Sequence, residues 1–106
     1  METKIATLNV RGLGNTKKRK EMFEWLKTKQ YDIYMLQEVH YKKEFNTTWK
    51  SDWGNTCVFS GNKSNSEGVA ILFNSKHSIE IKQELEIIEG RILLVTIKVH
   101  ASEFLH

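Results

Sequence analysis

At 106 residues and 12.4 kDa the chain makes one small domain or a piece of one. With 40% hydrophobic and 27% charged residues, no proline and one cysteine, it is neither disordered, coiled-coil nor collagenous, and Cys57 cannot close an internal disulfide, which excludes a stapled secreted scaffold. The net charge of +3 is uneven: residues 1–50 hold eleven Lys/Arg against six acids and residues 51–106 hold five against seven, so the basic front half suits a polyanionic partner as well as it suits a solvated surface.

Lys4-Ile-Ala-Thr-Leu-Asn9-Val10 alternates apolar and polar residues and predicts a strand. Gly12 and Gly14 break it, and Thr16 is a candidate N-cap for a helix over residues 17–29. Met22, Phe23 and Leu26 lie at helical spacing toward a core, and the run Lys17-Lys-Arg-Lys20 suits a solvated helix start. Asp32-Ile-Tyr-Met-Leu-Gln37 is nearly all apolar, the pattern of a strand buried on both faces. If these two strands share a sheet they run parallel, and their C-terminal ends emerge on one edge. Asn9 and Glu38 are the polar residues at those ends, and in open α/β sheets that edge binds ligands.

Further on, Phe45, Trp49 and Trp53 are four apart, so residues 42–53 make a helix or a packed loop. Residues 56–60 and 69–74 read as strands flanking the polar loop 61–68. Residues 78–88 and 91–99 read as a hairpin turning at Glu89-Gly90, and Glu103-Phe-Leu-His106 opens another strand. Cys57 is a small hydrophobe in an apolar run. The longest clean apolar runs, 69–73 and 92–95, fall far short of the roughly 20 residues of a membrane span, so a soluble protein of an intracellular, reducing compartment is expected, without membrane association.

Gly12-Leu-Gly14-Asn-Thr-Lys17 imitates a dinucleotide-binding turn, but Lys17 stands where a third small residue belongs and the chain continues as hairpins. No small-molecule cofactor is expected. A carboxylate after a strand is more often solvated or capping than functional. As a metal ligand, Glu38 suits Mg²⁺, which takes hard oxygen donors, keeps waters and is often completed by substrate phosphate. Asn9 could add its amide oxygen to that shell, or hold a phosphate oxygen through its NH₂. The four histidines show no zinc-ligand spacing. His40, two residues past Glu38 on the same edge, is a candidate phosphate contact, whereas His77 and His100 suit a surface.

Four blocks now stand in order: Ile5-Ala-Thr-Leu-Asn9-Val-Arg-Gly-Leu13, Asp32-Ile-Tyr-Met-Leu-Gln-Glu38-Val-His40, Gly68-Val-Ala-Ile-Leu72 and Glu89-Gly-Arg91. Together they resemble the opening of the endonuclease/exonuclease/phosphatase superfamily. Within it they resemble most the endonuclease domain at the front of long-interspersed-element (non-LTR) retrotransposon proteins. The resemblance implies an α/β (α+β) fold, the N-terminal half of a four-layered, DNase I-like sandwich that opens with β-α-β and continues in antiparallel hairpins. It also implies a Mg²⁺-dependent endonuclease that nicks DNA by water attack on a phosphodiester, acting in the nucleus. Glu38 matches the family's metal ligand, and Asn9 matches the asparagine lining the metal and phosphate site. Both are thereby candidate catalytic residues, with Arg11 and His40 as candidate substrate contacts. Apurinic endonucleases carry an acid where Arg11 stands, which favours the retrotransposon branch over a repair-nuclease fragment. The family's later Tyr, Asp-x-Asn and Ser/Thr-Asp-His blocks have no counterpart in residues 1–106. These residues are therefore expected to form the first half of the domain, with little activity alone and with an apolar sheet face open to association. The alternative from another class is a basic module that binds nucleic acid without cleaving it.

Overall fold

The computed structural model describes residues 2–61, 67–75 and 77–100. Strand β1 (Ile5–Asn9) leads into helix α1 (Thr16–Thr28) and returns as β2 (Ile33–Gln37). A single 3-10 turn (Lys43–Phe45) and helix α2 (Asn46–Trp53) precede β3 (Cys57–Ser60) and β4 (Val69–Phe73), and β5 (Ser78–Ile88) and β6 (Ile92–His100) close the order. The first four strands make one sheet in the order β1-β2-β4-β3, with β1 and β2 parallel and the other pairs antiparallel. The last two strands make a separate two-stranded sheet. The β-α-β opening and the hairpins that follow it match the sequence expectation. Most of loop 61–68 and the strand expected at 103–106 lie outside the described residues.

Helix α1 starts one residue earlier than its pattern suggested. Asn15, not Thr16, is the N-cap, and its side-chain oxygen accepts the Lys18 N–H at 2.8 Å, satisfying one of the unpaired donors of the first turn. Phe23 and Leu26 are buried and Met22 packs beside them. The Lys17–Lys20 run is not uniformly solvated. Arg19 is 3% exposed, with Nε and Nη2 on the Asp52 carboxylate at 3.0 and 2.9 Å and its guanidinium 5.0 Å from the Trp49 ring centre. This pair ties α1 to α2.

The two tryptophans of α2 fill the space between helix and sheet. Trp53 meets Phe23 edge-on at 5.4 Å and donates its indole N–H to the Phe73 carbonyl at 3.1 Å. Trp49 meets Phe59 at 5.6 Å and Tyr41 at 5.4 Å. Gly54 ends the helix at φ +79, its N–H on the Lys50 carbonyl, a backbone conformation that costs glycine least. Cys57 is buried in this core, and the lack of water there pushes its thiol up to about 11.

Strand β2 is covered on one face rather than both. Tyr34 and Leu36 are buried under the helices, while Met35 and Gln37 on the opposite face are exposed, as is the neighbouring Ile5. The hairpin adds nothing to the main core. It is moored at its turn, where the Gly90 N–H donates to the buried Ser60 hydroxyl at 3.0 Å and the Gly68 N–H donates to the Gly90 carbonyl at 3.0 Å.

Candidate active site

Parallel pairing aligns Asn9 with Gln37, so β1 and β2 end together. The ladder then continues into the two loops that follow. The Val10 N–H donates to the Gln37 carbonyl (3.0 Å), Gly12 to Glu38 (2.6 Å) and Leu13 to Val39 (3.0 Å). Val39 is fully buried and donates its own N–H to the Gly68 carbonyl. Its neighbours Glu38 and His40 flank that anchor in left-handed conformations, at φ 55 and φ 57.

The result is that two side chains 29 residues apart meet. The Asn9 NH₂ donates to a Glu38 carboxylate oxygen at 2.5 Å, and the Asn9 amide oxygen accepts the Arg11 N–H at 3.2 Å. That second bond is an Asx-type turn, and it fixes which end of the amide faces the carboxylate. The carboxylate itself is exposed, and among the described residues no other group bonds to it.

Backbone strain collects at the same place. Of the non-glycine residues with positive φ among those described, Arg11, Glu38 and His40 belong to these two loops and only Gln30 does not. Each such residue costs on the order of 1–3 kcal/mol and persists where the surroundings over-determine it, a pattern typical of functional sites. Gly12, at φ +91, lets the loops close up: a Cβ there would sit 2.7 Å from His40 Nδ1. The imidazole of His40 therefore rests on Gly12, at the edge where Asn9 and Glu38 meet. Arg11 is exposed on that edge.

Sequence patterns did not reveal what holds the first loop. Lys18 donates from its ammonium to the carbonyls of Val10 (3.0 Å) and Arg11 (3.1 Å), and Arg19 donates to those of Leu13 (3.0 Å) and Gly14 (3.5 Å). A signal was present nonetheless. The first turn of α1 is basic with no acid, against the preference set by the helix dipole.

Residues 6–85 match the model of the endonuclease/exonuclease/phosphatase family. The chain belongs to the endonuclease/exonuclease/phosphatase family. No curated relative matches it. Membership in this hydrolase family makes phosphodiester chemistry, a nucleic-acid substrate and a divalent metal the coarse expectation for the chain. Among the described residues no three His, Cys, Asp or Glu side chains gather as a potential metal group. One hydrated carboxylate, oriented by an amide and open to solvent, is a donor set that suits a hard cation retaining water and awaiting phosphate oxygens. His77 is not the plain surface residue its sequence context suggested; it is half-buried and its Nδ1 finds no partner among the described residues. No described helix is long and apolar enough to cross a membrane.

Proposed function

We propose that this chain carries the metal-holding site of a Mg²⁺-dependent phosphodiester hydrolase, a DNA-nicking endonuclease of retrotransposon type. The observation behind this reading is the 2.5 Å contact between the Asn9 amide and the Glu38 carboxylate, made on strained loops at the shared edge of two parallel strands. The branch is favoured by the four sequence blocks and by Arg11, a cation two positions after Asn9.

In this reading the Glu38 carboxylate would hold the ion. Asn9 fixes the carboxylate's orientation, a role that commonly governs how well a ligand binds. A divalent ion held there would supply charge neutralisation for the phosphoryl oxygens and the departing 3′-oxygen. Arg11 and His40 contact the DNA backbone on either side. One positioned acid–base group is worth about 10²–10⁴-fold in rate, and neither Asn9 nor Glu38 takes that part. Residues 1–106 are therefore expected to cleave feebly by themselves.

Nicking of supercoiled plasmid, wild type against Glu38→Ala, tests the reading. The expected result is trace, Mg²⁺-dependent nicking that disappears in the variant. Equal nicking by both proteins removes Glu38 from the chemistry, and vigorous nicking contradicts the expected feebleness. Plasmid binding that falls steeply with salt, ignores Mg²⁺ and yields no nicks favours the non-catalytic module instead.

A further inference from the structure

We infer that Lys18 is a positioning residue of the Asn9–Glu38 site, clamping from α1 the loop that aims Asn9 at the carboxylate. The inference rests on the reading of that site as a divalent-cation site, and it adds a residue that the sequence blocks do not single out. Three observations carry it.

The Lys18 ammonium donates to two consecutive carbonyls, Val10 at 3.0 Å and Arg11 at 3.1 Å. The first carbonyl belongs to the same peptide group as the Arg11 N–H, which donates to the Asn9 amide oxygen at 3.2 Å, and the second to the peptide that follows. Arg11 sits at φ 51 and Gly12 at φ 91, so this stretch occupies a conformation that needs bonds from outside to hold it. Lys18 also stands in the first turn of α1, where a positive charge opposes the helix dipole. A lysine kept at an unfavourable position, with its charged end spent on a strained loop, is the local inconsistency expected of a functional constraint.

Arg19 binds the same loop one residue on, but its ion pair with Asp52 makes it part of the core. Lys18 is exposed, and its α1 backbone is capped independently by Asn15. Its ammonium can therefore be removed while the fold remains.

The test measures Mn²⁺ affinity by electron paramagnetic resonance for wild type, Lys18→Met, Lys18→Arg and Glu38→Gln, with amide hydrogen exchange at Gly12 and Leu13 as a second readout. Loss of outer contacts to metal ligands commonly costs 10–100-fold in affinity. Lys18→Met should accordingly bind Mn²⁺ about tenfold more weakly and exchange faster at Gly12 and Leu13, with a thermal midpoint near that of wild type. Lys18→Arg, whose guanidinium can also reach two carbonyls, should recover most of the affinity. Unchanged Mn²⁺ affinity in Lys18→Met, with binding lost in Glu38→Gln, overturns the positioning role and leaves the site reading intact. Full Mn²⁺ binding by Glu38→Gln overturns the site reading, and the role of Lys18 falls with it.

Discussion

Gly12 shows how tightly single residues are constrained at this edge. It needs a left-handed backbone, it lies against the His40 ring, and its N–H bonds the Glu38 carbonyl. Gly12→Ala should cost about 1–3 kcal/mol from backbone strain alone, and the crowding of His40 adds to it. A urea titration checks this, and a midpoint equal to wild type contradicts it. In the sequence this glycine was legible as the end of a strand and part of a turn, not as a seat for His40. Asn9 and Glu38 were legible as a pair because strand ends can be counted and parallel strands share an edge. That the asparagine presents its NH₂ to the carboxylate was not legible. The choice depends on the Arg11 N–H, and so on a left-handed residue that no pattern of polarity announces.

At the scale of elements, periodicity located the described strands and helix α1 to within a residue or two. Residues 42–53, which spacing alone leaves open as a helix or a packed loop, divide into the 3-10 turn and α2. The reason is that the hydrophobic spacing is strong: Phe23 with Leu26, Trp49 with Trp53. It misjudged charge. Arg19 sits among lysines and shares their polarity, but helical geometry turns it inward toward Asp52 and the Trp49 ring, while Lys17 and Lys20 stay in solvent. Sequence spacing of 33 residues gave no hint of that ion pair, because it is made between two helices. Truncating one partner of a buried pair strands the other charge. Asp52→Ala should therefore lower stability by about 3 kcal/mol, read as an earlier urea midpoint with the transition still cooperative. A loss below about 1 kcal/mol, the range of an exposed pair, contradicts the account.

Across the whole molecule the sheet divides its two faces. Helices α1 and α2 seal one, with Tyr34, Leu36 and Leu72 buried beneath them. On the other, Ile5 is 50% exposed and Met35 is 37% exposed, although polarity alone suggested that β2 was covered on both sides. Run composition cannot separate these cases, because Ile33, Tyr34, Met35 and Leu36 are apolar whichever way they point. The hairpin repeats the pattern near its turn, where the cross-strand pairs Leu85–Leu94 and Ile88–Ile92 are exposed. The candidate site lies at the C-terminal rim of the two parallel strands. Val39 and Leu13, both fully buried, anchor its loops in the core.

The most direct test is nuclear magnetic resonance of the chain with substoichiometric Mn²⁺, whose unpaired electrons broaden signals from nearby nuclei. The account predicts that the Asn9 side-chain NH₂ and the backbone amides of Glu38 and its neighbours broaden first, and that excess Mg²⁺ restores them. Broadening centred on the acidic strand β5, with the Asn9 signals left sharp, would contradict it.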